Sequence, residues 1–248
     1  MRNYVTECAG LAVRTFIPQE PETAPPVLLV HGFASDGRAD WEETGLVAAL
    51  TGEGRTVIVP DLPGHGDSPA PGDPAEAGAA AIATRLATAV GDREYDVVGY
   101  SLGSRLAWEL PGRVRQAVLG GLSPFEPFAP VDVEALRLAV TTGADPADPL
   151  TAMIAGLVRS SGERAAGLVT CVEGLRATPF EPGAWPGERP PVFVAGRDDP
   201  MTTGVERVAG LTAGAELVTV PGDHRGALAG AEFRDTVLRA LRRAGDDR

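Results

Sequence analysis

A chain of 248 residues, 44% hydrophobic and 23% charged, has room for one large domain with a well-buried core and the balance of an ordinary globular protein. Its net charge of −12 argues against nucleic acid or an anionic membrane surface as partner. It shows neither a signal-peptide pattern nor an apolar run near the ~18 residues of a membrane span, so a cytoplasmic location is expected.

Taken in chain order, residues 4–8 and 11–17 are β-prone and joined at Ala9-Gly10, an opening hairpin. A Pro/Glu-rich connector follows from Pro18 to Pro26. Val27-Leu28-Leu29-Val30 is apolar at every position, as in a parallel strand buried on both faces, and runs into the polar, Gly-rich loop His31–Gly37. Asp40 and Glu43 then resemble a capping box for a helix with Trp41, Val47 and Leu50 on its apolar face. Thr56–Val59 is a second buried strand, ending in Pro60-Asp61-Leu62-Pro63-Gly64-His65-Gly66-Asp67-Ser68. Asp73-Pro74 opens a helix reaching about Val90, with Ala81, Ile82, Leu86 and Val90 at helical spacing. The strand 95–100 and a short helix flank Gly99-Tyr100-Ser101-Leu102-Gly103, and Gln116–Gly120 is another strand. Alternating strands and helices imply an α/β fold built on a mainly parallel twisted sheet flanked by helices.

From Ser123 to Arg189 the pattern changes to helical pieces broken by prolines. One helix is clear: Asp148 caps it, Pro149 is its first position, and Leu150, Met153, Ile154, Leu157 and Val158 form one apolar stripe. The reading is a core at 1–122 and 190–248, with a helical lid inserted late in the sheet at 123–189. Pro191–Ala195 resumes the sheet, a helix runs to about Ala213, and Glu216–Val220 is the last strand. A terminal helix buries Phe233, Val237 and Leu241, with arginines 239, 242 and 243 complementing its dipole.

The Gly99–Gly103 stretch is G-x-S-x-G between a strand and a helix, the setting of a nucleophile elbow. Its glycines admit a sharp turn, and the N–H groups after Ser101 start a helix facing a developing oxyanion. In a chain with 31 glycines the pattern alone is weak, so partners must support it. A serine nucleophile needs a base and a group that orients the base. Of His31, His65 and His224, only His224 follows both the elbow and a strand-end carboxylate, in the order such an elbow predicts. Asp198 and Asp199 are both candidates for that acid, and the one not used is expected to cap the following helix. Without lysine, a Schiff base and a serine–lysine dyad are excluded. Cys8 and Cys171 lie too far apart in sequence for a CxxC pair, and neither a metal site nor a disulfide framework is expected.

Four motifs in order make the chain resemble the α/β-hydrolase fold family over nearly its full length. They are His31-Gly32 after a strand, Asp61-x-Pro63-Gly64-His65-Gly66-x-Ser68, Gly99-x-Ser101-x-Gly103, and Gly196-x-x-Asp199 followed by His224. The resemblance favours Asp199 over Asp198 as the acid, three residues after its glycine. It implies an oxyanion hole at the backbone N–H groups of Phe33 and Leu102, and structural roles for His31 and His65. The implied activity is serine hydrolysis of a small-molecule carboxylic ester, thioester or lactone, with no cofactor. A serine at the elbow argues against the haloalkane dehalogenase and epoxide hydrolase branches, which use aspartate there. An alternative is a lyase resembling SHCHC synthases, whose H-G-F, D-L-P-G-H-G and G-Y-S-x-G stretches also match. There Arg105 would bind a substrate carboxylate, unless it is merely a helix-surface arginine. A C–C bond hydrolase on the same triad and a non-catalytic ligand-binding protein are further alternatives. Gly222-Asp223-His224-Arg225 departs from relatives around the base, and its charged neighbours are read as solvated.

Overall fold

Val27, Leu28, Leu29 and Val30 are all fully buried because successive side chains of a strand point to opposite faces, and both faces here are covered. The computed structural model describes residues 2–19 and 24–246. The middle of the expected connector, residues 20–23, lies outside the described residues. The strands are β1 (Arg2–Cys8), β2 (Leu11–Ile17), β3 (Val27–Val30), β4 (Val57–Pro60), β5 (Tyr95–Tyr100), β6 (Val114–Gly120), β7 (Val192–Gly196) and β8 (Glu216–Val220). They form one eight-stranded sheet in the order β1-β2-β4-β3-β5-β6-β7-β8. Pairing is antiparallel only where β2 meets β1 and β4. From β4 through β8 it is parallel, so the carboxyl ends of six strands open on one edge.

Helices α1 (Leu46–Gly52), α8 (His224–Ala229) and α9 (Ala231–Asp246) cover the face carrying Val27, Leu29, Val59 and Val98. Helices α2 (Ala79–Val90), α3 (Leu102–Ala107) and α7 (Val205–Ala209) pack on the opposite face, with Leu28, Ile58 and Val97. Three helices, α4 (Val133–Thr142), α5 (Pro149–Ser160) and α6 (Ala165–Arg176), fall between β6 and β7 and join that second layer. The Cys171 thiol on α6 lies against the Pro63 carbonyl at 3.1 Å, and the Ala79 amide donates to Thr178 Oγ1 at 3.1 Å. Asp148 caps α5 as expected, accepting from the Thr151 amide at 2.7 Å. The buried face of α5, however, carries Thr151, Ile154, Ala155 and Val158, while Met153 and Leu157 are 45% and 43% exposed.

Other helices are shorter than their apolar spacing suggests, because glycines divide them. Asp40 and Glu43 do not form a capping box. Arg38–Glu42 is a single π-helical turn, and Gly45, at φ 78°, separates it from α1. Asp73 caps a 3₁₀ turn at Pro74–Ala77, and Gly78 precedes α2. The expected helix ending near Ala213 is a 3₁₀ turn at Pro200–Thr202 followed by α7 alone. At the amino edge of the sheet, Asp96 is fully buried under two arginines. Arg115 reaches it through Nε at 2.8 Å and Nη2 at 2.5 Å, and Arg55 through Nη2 at 2.5 Å. Among the described residues no helix is long and apolar enough to cross a membrane.

Candidate active site

Strand β5 delivers Ser101 in a conformation that side-chain-bearing residues rarely adopt, φ 52° and ψ −112°. Close approach imposes the turn. A Cβ on Gly103 would lie 1.9 Å from the Val30 carbonyl oxygen, and one on Gly99 would lie 2.5 Å from the Gly103 carbonyl carbon. The Ser101 amide donates to the Gly120 carbonyl at 2.8 Å, and the Ser104 hydroxyl donates to the same oxygen at 2.7 Å, which ties the turn to β6. The first hydrogen bonds of α3 run from the Ser104 and Arg105 amides to the Ser101 carbonyl. The Leu102 N–H precedes them and lies at the positive end of the helix.

His224 stands beyond β8, and its Nδ1 is 2.7 Å from Asp199 Oδ2. A carboxylate only accepts, so Nδ1 is the donor in this contact and Nε2 is left to face the other way. The Asp199 side chain is fully buried, and its Oδ1 accepts from the Met201 amide at 2.9 Å. One aspartate therefore both contacts the histidine and caps the next turn, while Asp198 is exposed. The expectation that the unused aspartate would supply the cap is corrected. Tyr100 holds the same loop from below: its hydroxyl donates to the His224 carbonyl at 2.6 Å, and the two rings are 5.3 Å apart. Burial pushes the Tyr100 phenol up, so it stays a donor. A Cβ on Gly121 would lie 3.0 Å from His224 Cε1, which places the imidazole over the carboxyl ends of β5 and β6.

The loop after β3 packs against the serine, since a Cβ on Gly32 would be 3.5 Å from Ser101 Cβ. His31 is fully buried, donates from Nδ1 to the Gly32 carbonyl at 2.8 Å, and accepts at Nε2 from the Leu62 amide at 2.9 Å. It thus joins the loops after β3 and β4. Asp61 also joins them, accepting from Arg14 Nη2 at 2.7 Å, the Gly37 amide at 2.9 Å and the Asp67 amide at 2.8 Å. His65 lies beneath Phe33 with ring centroids 5.6 Å apart, and its Nδ1 donates to the Pro63 carbonyl at 2.8 Å. Its buried Nε2 has no hydrogen-bond partner among the described residues. Burial, with His31 beside it, lowers the His65 pKa to about 3, so the ring is neutral.

Beside Ser101 is a cavity of about 30 Å³, walled by Leu102, Leu122, Phe125, Phe128, Phe180 and Met201. Four of the six walls lie between β6 and β7. Arg105 also borders it, and is not a surface arginine: it is 4% exposed. Its guanidinium donates to Glu126 at 3.2 Å and to the Leu175 and Thr178 carbonyls at 3.0 and 2.5 Å. Glu126 in turn accepts from the Phe128 and Phe180 amides at 2.7 and 2.6 Å. Arg225, read as solvated, is 65% exposed along its side chain and also pairs with buried Asp40 at 3.0 Å. Sequence reasoning missed Tyr100, Asp40, Glu126 and the aromatic walls.

An eight-stranded, mostly parallel sheet with an elbow serine and a late histidine at its carboxyl edge defines the α/β-hydrolase fold class. The chain belongs to the alpha/beta hydrolase family, whose sequence model matches residues 27–236. A 2-succinyl-6-hydroxy-2,4-cyclohexadiene-1-carboxylate synthase of Yersinia pestis (strain Pestoides F) is 34% identical over 100 residues. That match covers 40% of this chain and 35% of the relative, so only about a third of the relative's length is spanned. Among solved structures, a thermophilic esterase from Thermogutta terrifontis superposes with a TM-score of 0.71 at 19% identity, covering 98% of this chain and 99% of the other. The enol-lactonase from Burkholderia xenovorans LB400 gives 0.68 at 22% identity, covering 96% and 99%. Epoxide hydrolase A from Mycobacterium thermoresistibile gives 0.69 at 18% identity, covering 97% and 98%. At such identities these structures share the fold.

Proposed function

We propose that the protein is a serine hydrolase acting on a small carboxylic ester, thioester or lactone. The 2.7 Å contact between His224 and Asp199, at the sheet edge that also holds the strained, half-buried Ser101 turn, carries this reading. Ser101 Oγ attacks the substrate carbonyl carbon while its proton passes to His224 Nε2. The Phe33 and Leu102 N–H groups hold the oxyanion, and Asp199 fixes the tautomer and balances the imidazolium. Collapse of the tetrahedral intermediate breaks the bond to the leaving group, which takes the proton from His224. Water then repeats the sequence on the acyl-enzyme and releases the acid. The scheme calls for no metal or organic cofactor.

The cavity beside Ser101 is small and apolar-walled, which favours a short acyl group. Helices α4–α6 act as the lid, since residues flanking them supply most of the walls. A second reading, a lyase on a carboxylate-bearing substrate, draws support from the partial match to the Yersinia synthase and from Arg105 at the pocket. Glu126 engages that arginine, so the substrate carboxylate has to displace it.

A fluorophosphonate probe labels wild-type protein and not Ser101→Ala. Asp199→Asn lowers kcat for p-nitrophenyl acetate by about 10⁴-fold, while Asp198→Asn leaves it unchanged. Absence of labelling in the wild type overturns the nucleophile assignment. Labelling without turnover of p-nitrophenyl acetate, butyrate or octanoate shifts the assignment to the lyase.

A further inference from the structure

We infer that Arg225 and Asp40 form a clamp between the base loop and the oxyanion loop, which makes both of them positioning residues; the inference rests on the hydrolase reading. Asp40 is 1% exposed, and its carboxylate gathers donors from two distant parts of the chain. Oδ2 accepts from the Gly32 amide at 2.9 Å, and Oδ1 from the Ser35 hydroxyl at 2.5 Å and from Arg225 Nη1 at 3.0 Å. Gly32 immediately precedes Phe33, and Arg225 immediately follows His224. The pair therefore joins the neighbour of an oxyanion donor to the neighbour of the base across 185 residues of sequence.

Both ends of the clamp are also tied within their own loops, and the Asp40–Arg225 pair links the two loops to each other. Gly32 has no side chain to pack; His31 holds its carbonyl at 2.8 Å and Asp40 holds its amide at 2.9 Å, so the two bonds together set where the following Phe33 N–H points. At the other end, Asp223 caps α8 by accepting from the Arg225 and Gly226 amides at 3.2 and 2.8 Å, and Tyr100 holds the His224 carbonyl. These bonds fix the axis of the helix, and Arg225 draws its first turn toward the Gly32 loop. A buried carboxylate needs a cation to offset its lost hydration. Arg225, with a side chain 65% exposed, supplies that charge while staying largely hydrated itself. Asp40 and Arg225 are not among the residues that line the cavity, and their hydrogen bonds run to the neighbours of Phe33 and His224, so their effect passes through those two.

The test compares Asp40→Asn, Arg225→Ala, the double variant and Arg225→Lys by steady-state hydrolysis of p-nitrophenyl acetate and by labelling rate. Each of the first two lowers kcat about ten- to a hundredfold with little change in KM. The double variant is no slower than the slower single, because both remove one link. Arg225→Lys recovers part of the loss, since its ammonium also reaches Asp40. Thermal unfolding verifies that every variant is folded at the assay temperature. If Asp40→Asn does not fold, the exposed Arg225 and its lysine rescue carry the test. A wild-type kcat in both singles, or losses that multiply in the double, overturns the clamp alone. Wild-type protein that neither labels nor turns over ester overturns the hydrolase reading, and the clamp with it.

Discussion

At φ 52° and ψ −112°, Ser101 carries a backbone strain of about 1–3 kcal/mol, and its surroundings leave no room to relax. The Gly120 carbonyl holds its amide, and Gly103 sits too close to Val30 for the turn to shift. Glycine tolerates this region without the penalty. Ser101→Gly is therefore expected to be inactive yet more stable than Ser101→Ala, with Tm higher by ~2–4 °C for each kcal/mol relieved. A scanning-calorimetry comparison of the two variants decides it, and a Gly variant melting below the Ala variant removes the strain argument. The local pattern made Gly99, Ser101 and Gly103 legible, because a tight turn leaves its mark within five consecutive residues. Chain order likewise made His224 legible. The roles of Asp40, Arg225 and Glu126 were not, because each depends on a partner far away in sequence and a charged residue reads as solvated by default.

Strands were legible where burial on both faces required unbroken apolar runs, as at Val27–Val30 and Val57–Val59. Helix lengths were not, since Gly45 and Gly78 interrupt segments whose apolar spacing runs on past them. Between these helical segments, the loop after β4 carries a histidine whose state links fold to pH. Burial lowers the His65 pKa to about 3, whereas in the unfolded chain it titrates near 6.5. Between those values the unfolded chain binds a proton that the folded one does not, so stability is full above about pH 6.5 and falls as the medium is acidified toward 3. Carboxylates add their own losses below about pH 5, so the informative window is pH 6.5 to 5. His65→Asn keeps a donor for the Pro63 carbonyl and removes the titration. Urea midpoints across that window fall less steeply for this variant than for wild type, by up to about 1.4 kcal/mol per pH unit. Parallel slopes count against a neutral buried His65.

The segment between β6 and β7 bears on the whole molecule because residues before α4 and after α6 wall the cavity beside Ser101 together with Leu102 and Met201 from other elements. Arg105 on α3 is neutralised by Glu126, and that carboxylate also holds the Phe128 and Phe180 amides, so one half-buried pair positions two walls of the cavity. Phe125 is held differently: its ring is 59% exposed, and the Arg207 guanidinium lies 4.8 Å above it. The shape of the cavity thus depends on residues from Leu102 to Met201, and no contiguous stretch of sequence encodes it. That is why the strand-to-helix turn at Ser101 was readable and the shape of the cavity beside it was not. Because Phe125 is the wall least embedded in the core, it is the one that can be shortened without opening a cavity inside the fold. Phe125→Ala is expected to leave Tm nearly unchanged and to extend the space beside Ser101 toward solvent. Each added methylene then gains up to about 0.8 kcal/mol, so kcat/KM for p-nitrophenyl butyrate relative to acetate rises by up to about fifteenfold. Steady-state kinetics on the two esters reads the ratio directly. An unchanged ratio, with label still reaching Ser101, assigns the acyl group to another part of the site and leaves Phe125 as a surface contact of Arg207.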